Sequence, residues 1–341
     1  MESLFDSPLI WQADPAKAFD AFVQSPAFLA LSRRRKAASD DNSFPLRASS
    51  VRVYCAMFGK YLRWLQQRDL NLFQVTSSDL LAFIEDGEVI NGKPQPERNS
   101  RIRLRYLQLI ERVYAHLQVS PNPARHACFD IFQSADRQRI GRDAGTATLT
   151  DAQQAAFMAA LPEAAPAAPG KPSAGWKRRR DRAMQALMLG AGLKVAEVVG
   201  LHTTNIGEKD STGSIPVTIS PATAGGVVRW HQTQLRPFAV PEVQRWLEER
   251  RHLAIPGPLL FPATLQGGVL NKATVYRQVK ATFARAGIAV PRLGGRTLRN
   301  SFAVRELQAG ESIELVGEFM GHRRRRATEH YAKLGPQSKL I

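Results

Sequence analysis

Only one region of this chain carries the signature of β-structure. Between Ser214 and Val240 the runs SIPVTI, VVRWH and LRPFAV are short and rich in β-branched and aromatic residues, with turn residues such as ATAGG between them. They read as three strands. Every other patterned stretch repeats at helical spacing. That imbalance predicts a mainly α fold, with one small antiparallel sheet set into an α+β domain.

The helical stretches fall into two groups. In SSVRVYCAMFGKYLRWLQQ, Val51, Tyr54, Phe58, Tyr61, Leu62 and Leu65 share one face, with Ser49 or Ser50 placed to cap. Thr76 and Asp79 have capping-box spacing ahead of a short helix. In NSRIRLRYLQLIERVYAHL, Ile102, Tyr106, Leu109, Ile110 and Val113 form the apolar face, and Arg101, Arg103 and Arg105 mark a basic side. SPNPA ends that helix. Residues 1–46 read as a helical extension, 47–125 as a small helical domain with a basic surface, and 126–148 as a linker. A larger domain, 149–341, opens with a second capping box, Thr150 to Gln153. Pro- and Ala-rich PEAAPAAPGKPSAG reads as a surface insertion. KRRRDRAMQALMLGAGLKVAEVVGL reads as two helices broken at Gly190 and Gly192. PEVQRWLEERRHL, NKATVYRQVKATFARAGI, LRNSFAVRELQAG and IELVGEFMGH complete the helical set.

Charge narrows the partners. Lys and Arg number 47 against 30 acidic residues, a formal net charge of +17. Such an excess calls for a polyanion, and double-stranded DNA fits better than a membrane, since no apolar run approaches a spanning length. The start, MESLFDSPLIWQADPAK, lacks the basic end and apolar run of a signal peptide. Cys55 and Cys128 stand far apart without CxxC spacing, which suits a reduced cytoplasmic, nucleoid-associated setting and argues against a structural metal site.

The C-terminal stretch is the most specific. RTLRNSFAVRELQAGESIELVGEFMGHRRRRATEHYAKL holds Leu298-Arg299, Phe302-Ala303, Gly310, Gly321-His322, Thr328 and Tyr331, with the Thr six and the Tyr nine residues after the His. It resembles the active-site region of the tyrosine recombinases, the phage-integrase and Xer-type family, whose pattern runs His-x-Leu-Arg-His-x-Phe-Ala, Gly, Leu-Gly-His, Thr, Tyr. GAGLKVAEVVGL resembles that family's Gly-Leu-Arg-x-x-Glu-x-x-x-Leu box, with Glu197 and Leu201 in place, and LRPFAVP the end of its hairpin strand. Residues 47–125 resemble its helical core-binding domain. Together the likeness covers roughly residues 47–334.

The resemblance implies a C-shaped DNA clamp that cuts and rejoins strands through a 3′-phosphotyrosine, without cofactor or metal. Tyr331 is then the nucleophile, Arg299 a bidentate clamp on the scissile phosphate and His322 a second donor. Three positions depart from the pattern. The first family arginine is Lys194, the histidine before Leu-Arg is Arg296, and the hairpin lysine is missing, because no lysine occurs between Lys209 and Lys272. Arg296 is a candidate to supply the planar fork that Lys194 lacks. Of the hairpin residues, His231 is the better proton donor and Arg229 the better phosphate contact. Arg323 and Arg324, in the run of four arginines, read as a backbone-contacting basic face. Tetrameric self-association on DNA, with sister recombinases or accessory DNA-bending proteins, also follows from the likeness. Two other functions fit the same residues: a recombinase-like protein that grips DNA without cutting, and a type IB topoisomerase relative. The helical core-binding domain argues against the latter.

Overall fold

The computed structural model describes residues 7–31, 46, 48–86, 89–90, 93–94, 100–125, 127, 146–163, 174–220, 230–322 and 324–334. Two compact units divide the chain, Met1–Asp143 and Ala144–Ile341.

The first unit is built on proline-started helices. Pro8, Pro15 and Pro26 open α1 (Pro8–Ala13), α2 (Pro15–Gln24) and α3 (Pro26–Ala30), where a missing N–H is harmless. Asp14 and Ser25 cap the second and third through Lys17 N–H and Phe28 N–H. These helices share one apolar core with α4 (Ala48–Gln66), α5 (Ser77–Glu85) and α6 (Ser100–His116). Trp11, Phe19, Phe22 and Phe28 are fully buried there, and Phe19 stacks on Phe58 at 4.2 Å. At roughly 2 kcal/mol per buried ring, residues 8–30 belong to this core rather than hanging from it. The buried phenols of Tyr61 and Tyr114 meet at 2.9 Å, and Tyr114 donates to the Leu72 carbonyl.

Three details of this unit differ from the sequence reading. Helix α4 starts at Ala48, so Ser49 and Ser50 lie inside it. Ile102 is exposed, and α6 is buried instead along Tyr106, Leu107, Leu109, Ile110, Val113 and Tyr114. A two-residue hairpin, β1 (Val89–Ile90) with β2 (Lys93–Pro94), precedes α6.

The second unit is organised around α8 (Trp176–Ala191), buried on every side from Ala183 to Ala191. Around it lie α7 (Asp151–Ala159), α10 (Val240–His252), α11 (Lys272–Arg285) and α12 (Gly295–Gln308). Thr150 forms the expected capping box with Gln153. Two arginines of the KRRR at the start of α8, and Arg182 just after it, are paired, while Lys177 and Arg178 are exposed. Arg179 pairs with Glu249 and Arg182 with Glu242, both in two-bond geometry on α10, and buried Arg180 bonds Asp181 and the Pro262 carbonyl.

The sheet of this unit has two strands among the described residues, β3 (Ile215–Ile219) and β4 (His231–Leu235), antiparallel with Ile215 opposite Leu235 and Ile219 opposite His231. Of VVRWH, residues 227–229 lie outside the described residues, and His231 opens β4. LRPFAV gives its last residue and then a 3₁₀ turn at Pro237–Ala239, because proline cannot donate to a ladder. Helix α8 runs through Gly190, whose missing Cβ lets Ala239 approach: a Cβ there would lie 2.6 Å from it. The break comes at Gly192, with φ +67°. Shorter helices α9 (Val195–Val199), α13 (Ile313–Phe319) and α14 (Arg326–Ala332) complete the unit. A second small core of Phe302, Ala303, Val316, Phe319 and Met320 holds α12 and α13 together and receives Tyr331.

Candidate active site

Where α8 stops, the chain turns through Gly192 and starts α9 one residue after Lys194. Glu197, three residues on, caps that helix by accepting from the Lys194 backbone N–H at 2.7 Å. Its other oxygen takes the Lys194 ammonium at 2.6 Å. The lysine at the family's first arginine position is therefore tied to a carboxylate.

Arg299 comes up from α12 and is 6% exposed. Its Nη1 donates to the Gly192 carbonyl at 2.7 Å and reaches Glu197 Oε2 at 3.4 Å, while Nη2 donates to the Met320 carbonyl. One guanidinium thus joins the end of α8 to the end of α13. Burial lowers its pKa, and Glu197 and Tyr331 oppose that shift, yet a guanidinium stays charged at neutral pH. Five N–H groups are available. Among the described residues its Nε–H forms no hydrogen bond and Nη2 forms one. The unused edge is therefore the side-on fork, Nε–H with one Nη2–H, which matches two oxygens of a phosphate.

His322 follows α13, after a left-handed turn at Gly321 with φ +58°. Its Nδ1 shares a 2.9 Å hydrogen bond with Oγ1 of fully buried Thr328, which fixes the ring and leaves Nε2 without a hydrogen bond among the described residues. Burial pushes the His322 pKa down to about 4, and Arg299, Lys194 and His231 push the same way against Glu197. The ring is neutral at pH 7. Strand alternation sets His231 on the same face as buried Thr233 and Leu235, so it points into the unit. A Cβ on Gly321 would lie 2.8 Å from the His231 ring, which explains a glycine there beyond its φ. Burial lowers the His231 pKa as well, with Lys194 and Arg299 adding to it and Glu197 opposing, and its Nε2 is buried without a hydrogen-bond partner among the described residues.

Tyr331 stands on α14 with its ring 6.1 Å from that of His322 and nearly parallel to it. Its hydroxyl donates to Asn300 Oδ1 at 3.0 Å. Lys194, His231, Arg299, His322 and Tyr331 thus gather in one place, with Glu197 at the centre of the charges. Arg296 does not join them. It sits exposed at the start of α12, lining a groove with Val195, Tyr276, Lys280 and Gly294, and makes no hydrogen bond or ion pair among the described residues.

Of the expected DNA-contacting arginines, Arg229 and Arg323 lie outside the described residues, as does the side chain of Arg101. Arg324 is exposed. Its neighbour Arg325 is tied to Glu314 and Glu329. In the first unit, Arg103 is half-buried and Arg105 lies over the Tyr54 ring at 5.4 Å. Sequence reasoning named Glu197 only as a matching position of the Gly-Leu-Arg box and passed over Asn300. Glu197 was visible three residues after Lys194, and Asn300 stands where the pattern has its second histidine.

A model of the phage integrase family matches residues 147–337. Tyrosine recombinase XerD of Lacticaseibacillus casei is 31% identical over 160 residues, 46% of this chain and 52% of that protein. XerC of Vibrio atlanticus is 28% identical over 158 residues, 46% and 47%. The chain therefore spans about half the length of these two relatives. XerD of Bifidobacterium longum aligns at 24% over 302 residues, 86% of this chain and 90% of that one. Among solved structures, XerH site-specific recombinase in a post-cleavage complex with palindromic difH substrate superposes with a TM-score of 0.64 at 17% identity, over 95% of this chain and 94% of that one. A lambda integrase dimer bound to a COC′ core site gives 0.57 at 14%, over 96% and 83%. The structural likeness carries the fold. Because the family match runs over more than half of the chain and contains every residue of the cluster, this protein belongs to the phage integrase family, the tyrosine recombinases.

Proposed function

We propose that the protein recombines DNA at a specific site for a mobile element, by cutting and resealing strands through Tyr331. The observation that carries this reading is the free side-on edge of Arg299 beside His322 and Tyr331. A scissile phosphate set against that edge has its developing charge met by the Arg299 fork and by Nε2 of His322. Tyr331 gives up its proton, its oxygen bonds to phosphorus, and the bond to the 5′ oxygen breaks with a proton delivered to that oxygen. His231 is the candidate donor in place of the missing lysine, since an arriving phosphate raises the pKa of a histidine beside it. The 5′ hydroxyl of another strand then reverses the step. Residues 47–125 and 149–341 act as the two arms of a clamp, with Arg101, Arg103, Arg105, Arg229, Arg323 and Arg324 on the DNA backbone, and protomers assemble on DNA as a tetramer.

One observation favours a second reading. Lys194 is held by Glu197 and the Tyr331 hydroxyl by Asn300, an arrangement that also suits a protein that grips DNA without cutting. The test is a library of nicked duplexes with a randomised core, incubated with the full chain, from which detergent-resistant complexes are recovered and sequenced. Recombinase action predicts one enriched sequence family and a covalent adduct that Tyr331→Phe loses while keeping its gel shift. Binding that falls steeply with salt, yet never yields an adduct, identifies a DNA-binding protein instead.

A further inference from the structure

Asn300 is 3% exposed, and both ends of its amide are engaged. Nδ2 donates to the Ala147 carbonyl at 3.1 Å, and Oδ1 accepts from the Tyr331 hydroxyl at 3.0 Å. Those partners fix the amide's orientation, because a carbonyl can only accept. Two consequences follow for the phenol. Its proton points at an amide oxygen, which is no base. Its oxygen turns toward a buried group that a DNA phosphate does not reach, so an attacking Tyr331 has to leave Asn300.

The segment that anchors Asn300 makes two further ties beside the nucleophile. Leu149 N–H donates to Ser301 Oγ at 2.8 Å, and Thr146 Oγ1 shares a 2.6 Å hydrogen bond with Nε2 of His330, the residue before Tyr331. Residues 146–149 stand at the head of the second unit, three residues after the first unit ends.

We propose that Asn300 is a latch, a positioning residue that keeps the Tyr331 hydroxyl in a resting orientation. Residues 146–149 set the latch, so that a pull on the chain entering the second unit frees the nucleophile. This inference rests on reading Tyr331 as the nucleophile. A net hydrogen bond of ordinary strength makes the latch worth about three- to tenfold in the rate of attack.

Two substitutions in the full chain test it. Thr146→Val breaks the tie to His330 at a half-buried position, and Asn300→Leu removes the acceptor at nearly constant size. In ¹H–¹³C spectra of chain carrying ring-labelled tyrosine, with Tyr331 assigned through Tyr331→Phe, both substitutions move the Tyr331 signal. On a nicked duplex recovered from the randomised library, Thr146→Val speeds single-turnover adduct formation three- to tenfold at unchanged DNA affinity. It adds nothing on top of Asn300→Leu. A Tyr331 signal unmoved by Thr146→Val overturns the latch, and so does slower adduct formation by a normally folded Asn300→Leu. If Asn300→Leu does not fold, Thr146→Val decides alone. A parent chain that forms no adduct defeats the nucleophile reading, while the ring signal still decides the latch.

Discussion

Glu197→Gln removes one charge from the centre of the site and keeps the side chain's shape. The Arg299 and Glu197 side chains are only 8% and 11% exposed and lie 3.4 Å apart. At an effective dielectric of about 20, a unit pair at that distance attracts by about 5 kcal/mol before desolvation is counted. Removing one partner leaves the other charge buried and uncompensated, a loss of about 3 kcal/mol. The Lys194 side adds only about 0.5 kcal/mol, because that side chain is half exposed. For a unit of roughly 200 residues, each kcal/mol moves Tm by roughly 2–4 °C, so the substitution lowers Tm by about 7–14 °C. Scanning calorimetry of the full chain measures it. A Tm within about 2 °C of the parent refutes the reasoning, and shows that the Gly192 and Met320 carbonyls alone hold Arg299.

Three further outcomes are expected. Because Arg296 stands exposed and apart from the cluster, Arg296→His leaves adduct formation little changed and adds on log rate to any effect of Lys194→Arg, whereas a crippling effect that Lys194→Arg rescues shows that Arg296 reaches the phosphate on DNA. The folded His322 takes up its proton only near pH 4, against about 6.5 when unfolded, so the stability tied to its neutral ring is full above pH 6.5 and lost as pH falls toward 4. His322→Gln flattens that part of the Tm–pH curve; since His231 shares the environment, a slope that His322→Gln leaves intact assigns it elsewhere. Gly321→Ala strains the left-handed turn by about 1–2 kcal/mol and drives a methyl into the His231 ring, so both Tm and adduct yield fall; a parental Tm refutes the close approach.

What was legible depended on how local the cause was. The boxes at Thr76 and Thr150 are settled within four residues, and the structure has both. The spacing of Arg299, His322 and Tyr331 was legible because Arg299 and Tyr331 sit on helices and His322 at the tight turn between them. The readings that failed needed a distant partner. Gly190 looked like a break, but its role is to admit Ala239, forty-nine residues on. LRPFAV has strand composition, yet Pro237 turns it into a 3₁₀ bend. Asn300 was passed over in the sequence, and only the packing of Ala147 and Tyr331 around it reveals a connector.

The ties of residues 146–149 bear on how this protein is dissected. By pattern, the second unit begins with the capping box at Thr150, and a fragment started there looks complete. Such a fragment would lack the Ala147 carbonyl that Asn300 binds, the Leu149 amide that donates to Ser301 and the Thr146 hydroxyl that holds His330. Helices α12 and α14 would keep their residues and lose that outer brace, so measurements on such a fragment would describe a different resting state. Cuts intended to isolate the second unit belong upstream of Thr146.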